Sequence, residues 1–474
     1  MPDARSAKAI LADVLQSPSP GVKVAVSDID GILRGKVLHK DKFASAVDGG
    51  FGFCDVVYGW DLHDQCYDNT SFTGWHKGYP DAMVRLDLAT HRNVPWDGGI
   101  DFFLGNFVHT VNGREEPYPL DGRQVLKRVI ARAAKLGVQP MCSLEFEFFN
   151  FAETPQSWAD KRGVGPEPIT PGMFGYSLLR AGHAREYFNA LFSELAAFGV
   201  PIEGLHTETG PGVYEAAIVY SDALEAGDRA LLFKAGAKEI GARFGIMPSF
   251  MAKWSQQYPG CSGHCHQSLS DGKKNLFHDP KGRAGMSKLF ESYLAGQVEA
   301  LMQFAPMFWP TINSYKRLVD GFWAPVKPTW GIDNRTASFR VIPGSPKSTR
   351  LETRCPGADV NPYLAMAAVI AAGMHGVEKK LKLTQPPVTG TNEGAENIPS
   401  WHPGDPLPGP LVVVGNHTAG IDPLLVQSAC IFEIRWLMLS EMMVGGPTLQ
   451  ALWLDLPFYR LPIRPGSMDQ HQKR

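Results

Sequence analysis

The pattern of apolar and polar positions divides the chain into regions of different periodicity. Residues 1–20 predict a short amphipathic helix that ends in a proline-rich breaker. The segment VKVAVSDIDGILRGKVL alternates apolar and polar residues on both sides of an Asp-Gly pair, which predicts a β-hairpin. The pattern of the following residues remains typical of strands separated by glycine-containing turns. Residues 21–113 are therefore predicted to form a small β domain.

Helical periodicity begins after residue 113. The segment GRQVLKRVIARAAKLGV has apolar residues at helical spacing and precedes a strand-like run of aromatic residues. The same order of helix and strand recurs from His183 and from Asp222. This alternation predicts an α/β or α+β catalytic domain over residues 114–385.

The C-terminal part has a different composition. Residues 386–410 are rich in proline and glycine, which predicts a linker. Residues 411–474 show a strand, a turn and a helix, as at the start of a further domain, and end in a polar tail.

Composition narrows the classes of protein that fit. Apolar residues make up 44% of the chain and charged residues 20%, which predicts a globular protein. The net charge of −2 provides no general field for nucleic acid, so any anion site must be a local arginine cluster. The seven scattered cysteines argue against a disulfide framework and favour a reducing cytosol. The apolar runs are too short to predict a membrane span.

Glu145 and Glu147 lie two positions apart in an otherwise apolar strand, so both side chains point to the same face. Two such carboxylates are usually solvated on a surface. Here their neighbours are aromatic or aliphatic, and charge in such surroundings is costly unless a divalent cation compensates it.

Two further segments carry candidate ligands. Glu208 and Glu215 flank a Gly-Pro-Gly turn that can bring them together, although the segment also fits a surface hairpin. In CSGHCH, residues 261–266, a zinc site competes with a strand that shows His264 and His266 on one face. The strand is preferred because no second pair of zinc ligands occurs at a suitable spacing elsewhere.

Five arginines lie between residues 317 and 354 and are interleaved with aromatic residues. Parts of this segment alternate apolar and polar residues as strands do. They could form salt bridges with surface acids, or they could line a cleft for carboxylates and polyphosphate. Together with the carboxylates, they point to metal-assisted phosphoryl transfer. A Walker-type phosphate loop is absent from the sequence, so a nucleotide would be held in another way.

These motifs, taken in order, resemble the glutamine synthetase family over roughly residues 20–395. The segments that carry the resemblance are EFEFF, HTETGPGVYE, SGHCHQSL, NSYKRLVDGFWAP, WGIDNRTASFR and STRLETRCPGADVNPYLAMAA. The resemblance implies an α+β fold, with an N-terminal β-grasp domain and a catalytic domain whose sheet forms a funnel-shaped site. It also implies a ring-shaped homo-oligomer, of which a dodecamer is one form.

The resemblance further implies roles for individual residues. ATP and Mg²⁺ or Mn²⁺ would be the cofactors, with one ion held by Glu147, Glu208 and Glu215 and a second by Glu145, His264 and Glu352. The positions expected to contact ATP are Glu203, His266, Ser268, Lys347 and Arg350. Those expected to bind the substrate are Arg317, Arg340, Arg354, Gly260, His264 and Tyr176. Catalytic roles fall on Arg335, Arg317 and Glu208, with Arg335 the best candidate for stabilising the transition state.

Two positions depart from the family pattern. Ammonia-using members carry a glutamate in the flap after Lys-Arg-Leu, and here the matching residue is Trp323. An indole cannot accept a proton, but its face can hold an alkylated ammonium group. The family's Asn-Gly-Ser-Gly loop is replaced by Pro-Gly-Cys-Ser-Gly at residues 259–263.

The C-terminal segment carries a second resemblance. His417 and Asp422 match the HxxxxD motif of glycerolipid acyltransferases, in which the histidine acts as a base. The phosphate-binding segment of those enzymes is missing, so residues 411–474 are interpreted as a truncated fragment.

The sequence therefore predicts an ATP-dependent ligase that forms γ-glutamyl phosphate and transfers the γ-glutamyl group to ammonia or an organic amine. One alternative is a non-catalytic binding or structural protein of the same family. The other is a lipid acyltransferase that acts through His417 and Asp422.

Overall fold

The structure, a computed structural model, describes residues 6–67, 70–319 and 321–389. The acyltransferase-like segment 411–474, with His417 and Asp422, lies outside the described residues, as does most of the predicted linker. None of the helices described has the length and apolarity that crossing a bilayer would require.

Six strands form a smaller sheet near the N-terminus. They are β1 (Gly21–Ser27), β2 (Leu33–His39), β3 (Phe51–Cys54), β4 (Asp81–Val94), β5 (Ile100–Val111) and β6 (Arg114–Pro117). Their order is β2-β1-β5-β4-β3, with β6 paired to β5, and β1 runs parallel to β5 while the other pairs are antiparallel. The predicted hairpin is β1 and β2, and the small sheet extends through β6, just beyond residue 113.

Two helices accompany this sheet, α1 (Ala7–Gln16) and α2 (Lys40–Gly49). Helix α1 is found as predicted, whereas α2 lies in a region that was predicted to be strand-like. Helix α2 forms because the ring of His39 accepts a hydrogen bond from the Asp41 amide at its N-terminus, and because Phe43 and Ala46 bury one face. A helix of ten residues is too short for its periodicity to be distinguished from the pattern of its strand-like neighbours.

Nine strands form the larger sheet, in the order β13-β14-β15-β12-β7-β9-β8, with β10 and β11 paired to β7. Their bounds are β7 (Gln139–Phe151), β8 (Ile202–Thr207), β9 (Val213–Ile218), β10 (Ser221–Asp222), β11 (Met247–Ser249), β12 (Gly263–Ser270), β13 (Trp330–Ile332), β14 (Phe339–Ile342) and β15 (Arg350–Thr353). Strand β7 lies near the middle of this sheet.

Nine further helices belong to this part of the described chain. They are α3 (Gly122–Lys135), α4 (Pro155–Asp160), α5 (Leu178–His183), α6 (Arg185–Ala197), α7 (Ala223–Arg243), α8 (Lys288–Ala300), α9 (Ala305–Phe308), α10 (Ile312–Lys316) and α11 (Pro362–Lys379). The predicted α+β fold is confirmed. The predicted succession of helix and strand is also found, in α3 with β7, α6 with β8, and α7 with β11.

The alternation of β7 decides where its carboxylates point. Phe146 and Phe148 are buried and pack against Phe233 of α7 and against Phe250. Burying two aromatic side chains on this face contributes several kcal/mol, roughly 1.5–3 for each. The intervening glutamates are therefore held on the opposite face of the sheet.

Candidate active site

The first cluster lies across β7, β12 and β15. Glu145 pairs with His264 in the strand register, and Nδ1 of His264 lies 3.1 Å from Oε1 of Glu145 and 3.5 Å from Oε1 of Glu352. Burial opposes ionisation of Glu145, but the hydrogen bond with His264 and the imidazole of His266, whose Nε2 lies 3.8 Å from Oε2 of Glu145, outweigh it and hold the pKa of Glu145 well below its ordinary value. The carboxylate of Glu145 is therefore charged.

Two arginines hold Glu352 from the other side. Arg340 donates from Nη1 to Oε2 at 2.8 Å, and Arg354 donates from Nη1 to Oε1. Burial opposes ionisation of Glu352, but Arg354, His264, His266 and Arg340 together lower the pKa of Glu352 to about 2. The charge of this carboxylate is thus largely compensated by protein groups.

The second cluster lies at the end of β8 and β9. His206 pairs with Glu215 in the strand register, with Nε2 3.4 Å from Oε1 of Glu215 and 3.9 Å from Oε1 of Glu208. Glu208 and Glu215 lie together as the sequence predicted, whereas His206 was not among the predicted ligands. Its position two residues before Glu208, at the end of a predicted strand, is the signal that could have identified it.

Glu147 connects the clusters to the loop before β12. It lies opposite Glu215 in the strand register, and its Oε2 accepts a hydrogen bond of 2.6 Å from the amide of Ser262. Glu145 and Glu147 are two residues apart on one strand, so the two clusters are separated by roughly 7 Å along β7.

The donor atoms fit divalent cations. Within each cluster, two carboxylates and one imidazole bring ligand atoms within 4.8 Å of one another. Mg²⁺ and Mn²⁺ prefer such oxygen-rich sets. In addition, the buried Nε2 atoms of His264 and His266 have no hydrogen-bond partner in the part of the chain that the structure describes.

The residues predicted to contact ATP fall into two groups. His266 and Ser268 share the face of β12 that carries His264, and Nε of Arg350 donates to Nδ1 of His266 at 3.1 Å. Lys347 is exposed before β15, whereas Glu203 is exposed at an irregularity of the edge strand β8, three strands from β12. The structure therefore gathers three of the five.

Comparison with known proteins identifies the family. Residues 119–398 match the family model for the catalytic domain of glutamine synthetase, a range that contains both clusters. Type-1 glutamine synthetase 2 of Dictyostelium discoideum is 53% identical over 385 residues, which are 81% of this chain and 73% of the relative. The chain belongs to the glutamine synthetase family.

Relatives named as amine ligases are also similar to this chain. Glutamate–isopropylamine ligase of a Pseudomonas species is 36% identical over 367 residues, 77% of this chain and 79% of the relative. A solved complex of GmaS with ADP superposes with a TM-score of 0.67 at 26% identity, over 79% of this chain and 83% of that chain. As a member of this family, the protein is an enzyme of the ligase class.

Arg317, which the resemblance assigns to substrate binding and catalysis, is buried in this structure. It is 1% exposed, and its Nη2 donates to Oγ of Ser262 and to the carbonyls of Arg354 and Pro356, at 3.0–3.2 Å. Nη1 donates to the carbonyl of Cys355 at 3.3 Å. These contacts place both terminal nitrogens within the wall of the site, so Arg317 is expected to stabilise this wall.

Replacing Arg317 with methionine is therefore expected to lower the free energy of unfolding by about 2–4 kcal/mol, because several buried carbonyls lose their donors. Urea denaturation measures this change. Arg243→Met, which removes an exposed ion pair with Glu194, should cost less than about 0.5 kcal/mol. A fully stable Arg317→Met variant with a raised KM for glutamate would instead show direct binding.

The remaining predicted residues, Tyr176, Arg335 and Gly260, have different surroundings. Tyr176 stacks on the ring of His206, with centroids 4.5 Å apart. Arg335 is exposed and has no ion pair among the residues described, although its carbonyl accepts a hydrogen bond from Arg354. Gly260 leaves no room for a side chain, since a Cβ atom there would lie 2.2 Å from the carbonyl of Ala252.

Glu215 should destabilise the fold when cations are removed. Burial, with the charges of Glu145, Glu147 and Glu208, raises the pKa of Glu215 from 4.5 to about 10. At pH 8 the unfolded chain ionises this carboxyl, whereas the folded chain without cations keeps it protonated. The resulting cost to stability grows as the pH rises above 4.5 and levels off near 10.

In the presence of a chelator, Glu215→Gln is thus expected to be more stable than the parent by about 1–3 kcal/mol at pH 8, with a smaller gain at pH 5. Chemical denaturation at the two pH values measures the difference. The exposed substitution Glu116→Gln serves as the control. A Glu215→Gln variant that is less stable at pH 8 would contradict this explanation.

Proposed function

We propose that this chain is an ATP-dependent γ-glutamyl ligase, which joins the side-chain carboxyl of glutamate to ammonia or an organic amine, with an organic amine as the favoured acceptor. The observation that carries the proposal is the pair of carboxylate–imidazole clusters on one face of the larger sheet. Arginines border the first cluster, as a site for phosphoryl transfer requires.

Each cluster has a proposed role in holding Mg²⁺ or Mn²⁺. Glu145, His264 and Glu352 would hold one ion, and Glu208, Glu215 and His206 the second, with Glu147 beside them. Bound cations supply charge neutralisation for the transfer of a phosphoryl group from ATP. His266, Ser268 and Arg350 would contact the nucleotide at the adjoining part of β12. Lys347 and Glu203, which lie apart from these three, are further proposed contacts of the nucleotide.

The proposed reaction has two steps. The γ-carboxylate of glutamate attacks the terminal phosphorus of ATP, which forms γ-glutamyl phosphate and releases ADP. The amine then attacks the acyl carbon, phosphate leaves, and the nitrogen loses a proton to give the amide. Arg335, whose guanidinium forms no ion pair within the described part of the chain, is best suited to stabilise charge on the transferring group, whereas Arg340 and Arg354 orient Glu352.

The choice of acceptor follows from Trp323. Its side chain is 57% exposed. In the family that the sequence resembles, ammonia-using members carry a glutamate at this position of the flap. An exposed indole face can contact the alkyl portion or the cation of an organic amine, but it cannot take a proton from ammonium. The similarity to glutamate–isopropylamine ligase supports the same choice.

The proposal extends to assembly and location. We expect a ring-shaped homo-oligomer, such as a dodecamer, in the cytoplasm. The six cysteines among the described residues are free, as a reducing compartment requires.

A phosphate-release assay tests the function. Protein, ATP, Mg²⁺ and glutamate are combined in parallel with ammonium, methylamine, ethanolamine, isopropylamine or putrescine. An organic amine is expected to stimulate release more than ammonium does, and the stimulation should be lost in Glu147→Ala. No stimulation by any acceptor, in folded and oligomeric protein, would contradict the proposal.

A further inference from the structure

The flap is the segment that follows α10, of which residues 318, 319 and 321–326 are described, and it has an unusual backbone conformation at Trp323. Its turn is marked by hydrogen bonds from the amide of Leu318 to the carbonyl of Tyr315 and from Phe322 to Val319. Trp323 itself has a φ of +61°, a left-handed conformation that costs a non-glycine residue about 1 kcal/mol or more. Such a conformation persists only when neighbouring contacts hold it.

One such contact is made by Lys253. Its ammonium nitrogen lies 4.4 Å from the centroid of the Phe322 ring. Phe322 directly precedes Trp323 in the chain. The same nitrogen donates to the carbonyl of Tyr258 at 2.6 Å, and Lys253 is 5% exposed. No carboxylate forms an ion pair with it among residues 6–67, 70–319 and 321–389, so the ring and the carbonyl are its observed partners.

The backbone of Lys253 is also fixed. Its amide donates to Oδ1 of Asn313 at 2.9 Å, and Nδ2 of Asn313 donates back to its carbonyl at 2.6 Å. Asn313 belongs to α10, the helix from which the flap emerges. Lys253 is thus tied both to the base of the flap and to an aromatic ring within it.

Burial strengthens this contact. Burial and the nearby charge of Arg317 lower the pKa of Lys253 to about 8, with the Cys261 thiol opposing the shift. A cation that has lost much of its hydration interacts more strongly with an aromatic face than an exposed one does. At pH 7 Lys253 is still charged, so the attraction to Phe322 is present under ordinary assay conditions.

We propose that Lys253 is a positioning residue for the acceptor amine, which it serves by holding Phe322 and so fixing Trp323 over the acceptor site. This inference rests on the proposed function, because it assigns the flap the task of binding the acceptor. The ammonium group of Lys253 is engaged by the Phe322 ring and the Tyr258 carbonyl, so its effect on the acceptor passes through the flap. Its loss should therefore weaken acceptor binding while leaving the use of ATP and glutamate intact.

The test combines kinetics with hydrogen exchange at pH 7, in the full chain. Lys253→Met and Phe322→Leu are each expected to raise the KM of the best acceptor about threefold to tenfold, with the KM values of ATP and glutamate within about twofold of the parent. Because the two residues form one contact, the double variant should be no worse than either single variant. Lys253→Arg and Phe322→Tyr keep a cation and a ring, so both should stay close to the parent.

Hydrogen exchange provides a measurement that does not depend on activity. Amides of residues 321–324 and of Val326 should exchange at least about threefold faster in Lys253→Met, whereas those of β12 should not change. Lys238→Met is the matched control, since Lys238 lies 5.9 Å from the ring of Phe250 and does not contact Phe322. If Lys253→Met fails to fold, Phe322→Leu carries the same test.

Unchanged exchange in the flap, an equal rise in all three KM values, or additive effects of the two substitutions would each overturn the inference. A parent enzyme that responds to no acceptor would instead contradict the proposed function. The exchange of these flap amides then decides by itself whether Lys253 anchors the flap.

Discussion

Replacing Glu145 with glutamine is expected to reduce amine-stimulated phosphate release by at least about 100-fold. The carboxylate of Glu352 is already paired with Arg340 and Arg354, whereas Glu145 lies next to imidazoles only, so Glu145 supplies the negative charge of the first cluster that a cation can use. Glutamine preserves the shape of the side chain but removes this charge. Initial rates at saturating ATP, glutamate and acceptor measure the loss, and calorimetric titration with Mn²⁺ should show affinity weakened about tenfold or more.

Glu116→Gln is the matched control for this prediction. Glu116 is an exposed glutamate of the small sheet, and its replacement should leave both the rate and the Mn²⁺ affinity within about twofold of the parent. A Glu145→Gln variant with near-normal activity would show that the first cluster does not hold a required cation. Loss of activity with unchanged Mn²⁺ affinity would assign Glu145 a role in the reaction other than metal binding.

The second large effect concerns the choice of acceptor. Trp323→Glu is expected to raise kcat/KM for ammonium relative to the best organic amine by a factor of about 10². A carboxylate at this position can attract ammonium and take its proton, whereas the indole face that would contact an alkyl group is lost. Competition between ammonium and the amine in one reaction, with both amides quantified by mass spectrometry, measures the ratio directly.

Trp323→Phe tests whether an aromatic ring at this position is sufficient for the preference for an organic amine. It keeps a ring at the same exposed position, so the parent's preference for the organic amine should be retained within about threefold. An unchanged ratio in Trp323→Glu would show that the flap does not select the acceptor. A parent enzyme that already prefers ammonium would contradict the acceptor proposed here.

The sequence predicted the placement of Glu145 and Glu147 well because the rule behind it is local. Residues two apart on a strand share a face, and Phe146 and Phe148 determine which face is buried. The pairing of Glu145 with His264 required only that two strongly patterned strands become neighbours. Local alternation therefore carried much of the information about the first cluster.

Other features depended on tertiary structure that alternation does not encode. The direction of the Arg317 side chain is determined by the path of residues 354–356, whose carbonyls it meets, and no local pattern reveals that path. His206 could have been inferred from its spacing to Glu208, but only if β8 had been paired with β9 in the observed register. Helix α2 was hidden by its short length and strand-like surroundings.

The central claim is that glutamate is activated as an acyl phosphate. Glutamate labelled with ¹⁸O in its γ-carboxyl group, incubated with protein, ATP, Mg²⁺ and the preferred amine, tests it most directly. If the acyl phosphate forms, one labelled oxygen leaves with each phosphate as the amide is made, and the released phosphate should carry ¹⁸O in proportion to the amide. Amide formation or ATP hydrolysis with unlabelled phosphate would contradict the account.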